Sequence, residues 1–142
     1  MPEGLEHPDF RLRKLTEDLT RSDYEAVMAT RQRLRAHSPN GWPRIGFTLE
    51  ENRADLIRHE TEFDARIAFA YGVLAPATDE VIGCVYIKPS SSADAEVYLW
   101  MREKEHTAGM TPELFVTVQA WLSRCWPFAT IDFVRREYYP LV

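Results

Sequence analysis

Cysteine is scarce in this chain: Cys84 and Cys125 are the two in 142 residues. No C-x-x-C spacing occurs, and each sits in an apolar run, so both read as small core residues rather than a disulfide or a thiolate metal site. Histidine is nearly as sparse. His7, His37, His59 and His106 are scattered, and their spacing names no metal centre. Positive charge is in deficit as well, with 17 Lys and Arg against 22 Asp and Glu and a formal net charge of -5. That balance argues against a general nucleic-acid surface, because phosphate binding needs clustered cations. No apolar run reaches the length of a membrane span. The opening MPEGLEHPDF has neither a basic start nor an apolar stretch, so no signal peptide is expected. Together these absences leave a soluble, cytoplasmic protein without nucleic-acid or membrane partners as the expectation.

What is present suits a single domain with a substantial core: 45% of residues are hydrophobic and 12% aromatic. Residues 1–9 read as a loose N-terminal arm, and 10–142 as the domain. FRLRKL, Phe10 to Leu15, alternates apolar with basic and predicts a strand with one wet face. Ser22 three before Glu25, and Thr48 three before Glu51, are capping-box signatures. They open two helices striped by Tyr24, Val27, Met28 and Leu34, then by Leu49, Leu56, Ile57 and Phe63. HSPNGWP, His37 to Pro43, separates them. RIAFAYGVLAP and VIGCVYIKP, joined by ATDE, form a hairpin pattern, and AEVYLWM, Ala95 to Met101, is the next strand. Thr111 is placed to cap a following helix with Pro112 at its first position. Leu114, Phe115, Val118, Trp121, Leu122 and Cys125 stripe that helix, and TIDFV, from Thr130 to Val134, is a last strand. The predicted order is β-α-α-β-β-β-α-β, an α+β (mixed α/β) fold. A central mixed sheet carries packed helices in three layers, and the final strand–helix–strand makes a parallel crossover.

The order, with DEVIGCVYI, AEVYLWM and HTAGMTPEL between Glu80 and Phe115, resembles the GNAT superfamily of acyl-CoA N-acyltransferases. Its members carry an apolar pair on the fourth strand, then Arg or Gln, two residues, Gly, one residue, and Gly or Ala at a helix start. Leu99 and Met101 match the pair, His106 stands at the Arg/Gln position, Gly109 keeps the central glycine, and Thr111 replaces the last small residue. In order the resemblance covers Phe10 to Val134; in motif it covers about twenty residues. It implies acetyl-CoA as co-substrate, with the pyrophosphate held where backbone N–H groups of a helix N-terminus are unpaired. Leu99, Trp100, Met101, His106, Gly109, Met110 and Thr111 are the cofactor-binding candidates it names. Arg102, Lys104 and a charged His106 would offer positive charge, against Glu103 and Glu105.

By the same resemblance the reaction is direct transfer of an acyl group to a primary amine of a small molecule or peptide. Glu96 is the candidate base, like the early-strand Glu of the histone-acetyltransferase branch, and lies on one strand face with Tyr98 and Trp100. Tyr138 and Tyr139 are the candidates for the acid. RREYYPLV stands where the family continues into a closing hairpin, so the acceptor side is expected to stay open or to be covered by a partner chain, a homodimer that completes the sheet among them. Trp42, Arg35 and Arg44 lie in the segment that frames the acceptor in the family. Two other readings stay open: a GNAT-shaped protein that binds a ligand or partner without catalysis, and an unrelated α+β module that dimerises through its sheet.

Overall fold

The computed structural model describes residues 2–38 and 40–134. Six strands form one sheet in the order β1-β2-β3-β4-β5-β6: Gly4–His7, Phe10–Lys14, Phe69–Leu74, Val81–Lys88, Ala95–Met101 and Ile131–Phe133. Every neighbouring pair is antiparallel except β5 and β6, which run parallel. The mixed sheet and the helical crossover therefore form as the sequence predicts. Among the described residues β5 is the fifth of six strands, one from the edge.

The N-terminal segment departs from expectation. Gly4–His7 is a strand, not a loose arm, registered on β2 from Gly4↔Arg13 to His7↔Phe10. Arg13 pairs with Glu6 across the two strands, and the Tyr71 hydroxyl donates to the Pro2 carbonyl at 2.6 Å. GLEH carries little β-propensity of its own; the unpaired edge of β2 recruits it.

The helices are α1 Thr20–Ala29, α2 Arg31–His37, α3 Leu49–Asp64, α4 Glu103–Thr107 and α5 Met110–Cys125. Ser22 does not cap α1, which begins earlier, after a 3-10 turn at Glu17–Leu19. The Ser22 hydroxyl instead accepts the Val81 N–H at 2.7 Å and ties α1 to β4. The capping box on α3 is complete, because Thr48 Oγ1 accepts the Glu51 N–H while the Glu51 carboxylate accepts the Thr48 N–H. Leu56 and Phe63 of that helix are buried, but Ile57 is 40% exposed. Cys84 is buried as expected, whereas Cys125, at the end of α5, is exposed.

Strand alternation splits the core in two. Val97, Leu99 and Met101 of β5 pack with Leu114, Phe115, Val118 and Trp121 of α5. Trp100, with Cys84 and Ala70, packs beneath Ala26, Val27, Leu34 and Leu56 of α1, α2 and α3. The face that carries Glu96 and Tyr98 is therefore covered along much of its length by helices, not an open wet face.

Candidate functional site

The loop after β5 is more structured than its sequence predicts. A short helix, α4, occupies Glu103–Thr107, and Gly109, at φ +88°, turns the chain into α5. Only glycine adopts that conformation freely. A Cβ at Gly109 would meet nothing within 4 Å, so the backbone here is open to a close-lying ligand. Thr111 is not the cap. It is the second residue of α5, buried, with its hydroxyl 2.7 Å from His106 Nδ1.

Met110 and Thr111 lie at the start of α5, where backbone N–H groups lack intrahelical acceptors, and Pro112 has no N–H to add. The positive end of the helix dipole falls at the same point. Side-chain charge gives little support. Burial, with Arg33 nearby, lowers the His106 pKa and favours the uncharged ring over the expected cation. Arg102 is held by Glu105 at 2.6 Å and faces Glu80 at 3.6 Å. Arg33 of α2 reaches across to donate to the Met101 carbonyl at 2.5 Å and to Glu103 at 2.9 Å. The first N–H of α4, at Glu103, is capped by Thr30 Oγ1 at 3.0 Å. The residues present thus fit a pyrophosphate through backbone amides and space at Gly109, not through a cluster of cations.

Among the described residues, registered pairing between β5 and β6 spans Ala95↔Ile131 to Val97↔Phe133, and the Val134 N–H donates to the Val97 carbonyl at 3.0 Å. Gly83 of β4 lies so near β5 that a Cβ there would approach the Trp100 carbonyl oxygen to 2.4 Å. Glu96 is half-buried and stands opposite Lys88 of β4 and Asp132 of β6. Tyr138 and Tyr139 lie outside the described residues.

On the α1–α3 face, near the start of β5, is a cavity of about 470 Å³ lined by residues of α3, β3, β4, β5 and the segment after α2. Tyr98 lines it, two residues from Glu96, which does not. Trp42 lines it too, from the segment expected to frame an acceptor. Arg35 and Arg44 do not: Arg35 donates to the carbonyls of Pro43 and Arg44, and Arg44 pairs with Glu51. Asp55, Arg58, His59 and Glu62 form one wall at helical spacing on α3. Sequence reading missed them because the stripe was followed through its apolar members. The polar residues at i, i+3, i+4 and i+7 carried the same period.

Burial, and Arg58 beside it, push the His59 pKa down to about 4, so its ring is neutral at physiological pH. Its ring centroid is 5.5 Å from that of Tyr86, which stacks with Tyr98 at 6.1 Å and 14°. Behind this wall runs a buried polar chain. The Trp100 indole donates to the Tyr86 hydroxyl at 3.2 Å, and Tyr86 hydrogen-bonds Cys84. The Cys84 thiol donates to Asp23 Oδ1 at 3.2 Å, and the Asn52 amide donates to Oδ2 at 2.9 Å. Burial raises the Asp23 pKa to about 6, with the Asn52 and Cys84 hydrogen bonds opposing it, and raises the Cys84 thiol well above its ordinary value.

His7, Asp9 and Glu113 bring three candidate ligand atoms within 4.8 Å. The Asp9 N–H donates to His7 Nδ1 at 3.1 Å, so the neutral ring carries its proton on Nε2, facing Glu113 at 3.2 Å. That nitrogen has no lone pair for a metal.

No family model matches the chain, and no curated protein does. Solved structures do. The ribosomal-protein-S5-alanine acetyltransferase from Vibrio fischeri superimposes with a TM-score of 0.68 at 16% identity, over 84% of this chain and 66% of that one. A ribosomal L7/L12 α-N-protein acetyltransferase in complex with coenzyme A gives 0.68 at 18%, over 83% and 66%. The microcin C7 self-immunity acetyltransferase in complex with acetyl-CoA and AMP gives 0.70 at 10%, over 88% and 69%. The chain thus has the fold of the GNAT acetyltransferases and spans 66% of the length of the first two of these. Among the described residues no helix is long and apolar enough to cross a membrane.

Proposed function

We propose that the protein is an N-acyltransferase that moves an acetyl group from acetyl-CoA to a primary amine. The observation that carries this reading is the amide-bearing start of α5 at the far end of β5, where Gly109 leaves open space for a ligand. Bound acetyl-CoA would supply an acyl group activated as a thioester. The amides of Met110 and Thr111 would hold its pyrophosphate, with Gly109, whose own N–H donates to the His106 carbonyl, giving it room and His106 fixing Thr111; the backbone of Leu99, Trp100 and Met101 would line the pantetheine. The cavity of about 470 Å³ on the α1–α3 face, which reaches Tyr98 of β5, would receive the amine. An alkylammonium must lose a proton before it attacks. Glu96, two residues along β5 from Tyr98 of the cavity lining, would take that proton through an intervening water. A C–N bond forms as the C–S bond breaks, and the sulfur leaves with the electron pair.

The test is thermal melting with acetyl-CoA, followed by thiol release with a panel of amines. A ligand bound only by the native state raises the melting temperature. A rise with acetyl-CoA and thiol release that depends on the amine is the expected result; no rise at millimolar acetyl-CoA overturns the reading. One observation favours a second reading, a ligand- or partner-binding protein without turnover. Glu103, Glu105 and Glu113 lie in the first turns of α4 and α5, where they oppose an anion, and Pro112 withholds an amide. Acetyl-CoA binding without thiol release from any amine selects it.

A further inference from the structure

We propose that the cavity against α3 takes an arylalkylamine, a flat aromatic body carrying a primary ammonium group. The proposal rests on the acyl-transfer reading for its biological meaning and on the cavity's own construction for its chemistry.

The body is specified by the rings. His59, Tyr86 and Tyr98 form a run of aromatic surface, with centroids 5.5 and 6.1 Å apart and planes inclined by 31° and 14°. Trp42 and Phe69 add rings to the same lining. The wall is fixed from behind. Trp100 holds the Tyr86 hydroxyl at 3.2 Å, and the chain through Cys84 to Asp23 and Asn52 anchors it to α1 and α3. A ring held in place loses little entropy when a second ring stacks on it.

The ammonium is specified by the α3 wall. Arg58 lies 3.6 Å from Asp55 and 3.4 Å from Glu62, so one guanidinium is shared between two carboxylates of the α3 wall. His59 adds no positive charge, being neutral. Lys88 is exposed. A cation entering beside Asp55 meets a carboxylate and the faces of aromatic rings, both of which favour it.

Calorimetry on the full chain, with and without coenzyme A, compares 2-phenylethylamine, 2-cyclohexylethylamine and 3-phenylpropionate. The aromatic amine is expected to bind about fivefold or more tighter than the saturated amine. The carboxylate, which lacks the amine, is expected to bind at least tenfold more weakly than 2-phenylethylamine. Asp55→Asn should weaken 2-phenylethylamine about tenfold, and Tyr98→Leu should erase the preference for the aromatic ring. Circular-dichroism melts confirm that both variants fold. Equal affinity for the two amines, or no binding of either with or without coenzyme A, overturns the proposal. Titration with acetyl-CoA separates the two ideas. If 2-phenylethylamine binds and acetyl-CoA does not, the pocket stands and acyl transfer fails; if acetyl-CoA binds and the amines do not discriminate, the reverse holds.

Discussion

At the scale of single residues, Gly109 and Glu96 carry the sharpest tests. Gly109 combines a left-handed φ of +88° with open space where its side chain would be. Gly109→Asp strains the backbone modestly and places a carboxylate at the start of α5, where aspartate is acceptable as a helix cap but repels a phosphate. Acetyl-CoA binding by calorimetry should fall tenfold or more, while the melting temperature moves by only a few degrees. Unchanged binding would show that the pyrophosphate sits elsewhere. Glu96→Gln keeps the volume and removes the proton acceptor. Turnover at neutral pH should drop roughly a hundredfold, with acetyl-CoA binding retained. The deficit should narrow at high pH, where the amine arrives already neutral. A variant as active as the parent across the pH range removes Glu96 from the chemistry and leaves His59, the neutral imidazole in the cavity wall, as the next base to test.

At the scale of elements, two devices hold the site in place. The capping box at Thr48 and Glu51 fixes where α3 begins, and so which of its faces presents Asp55 and His59. Thr48→Ala should lower stability in urea by about 1 kcal/mol, without loss of acetyl-CoA binding. The second device is the close approach of β4 and β5 at Gly83. An added methyl would come within 2.4 Å of the Trp100 carbonyl oxygen and 3.1 Å of the Met101 Cα. Neither is a flexible side-chain end, so the two strands must part. Gly83→Ala should therefore destabilise by about 2 kcal/mol or more, seen as a shifted denaturation midpoint. A midpoint equal to that of the parent would mean that β5 yields there at no cost.

At the scale of the whole molecule, two buried titrations oppose each other. Asp23 rises from 3.8 to about 6 on folding, so the native state holds a proton that the unfolded chain has lost between these values. Stability from this group falls as pH rises through that window and is level above it. His59 drops from 6.5 to about 4, so the unfolded chain binds the proton first, and stability rises with pH between these values. The two slopes have opposite signs over roughly pH 4 to 6, each amounting to about 3 kcal/mol. Asp23→Asn should leave a stability that climbs with pH across the window, and His59→Gln one that falls. Chemical denaturation at pH 4, 5 and 6 checks both; parallel profiles in the two variants would show that these groups do not titrate as described.

The amino-acid sequence by itself determined the order of the larger elements from Phe10 onward, though not the break at Thr30 that divides α1 from α2 nor the short α4, because each larger element carries a local period. Phe10 and Leu12 alternate, Leu114 to Leu122 recur at helical spacing, and Thr48 with Glu51 signs a helix start within four residues. Those signals are short-range, and so they survive reading one segment at a time. It also placed Gly109 at the turn that opens α5. Tertiary structure alone decided the rest. β1 exists because β2 offers an edge, not because GLEH prefers a strand. Ser22 serves Val81 across space, and Thr111 serves His106, instead of capping the helices they begin. The charge on His106 and the proton on Asp23 depend on burial, which no spacing reveals. The cavity wall brings His59, Tyr86 and Tyr98 together from α3, β4 and β5, positions 27 and 12 residues apart in the chain. Periodicity tells which side of an element faces inward, but only the packing of elements against one another sets which inward residues meet.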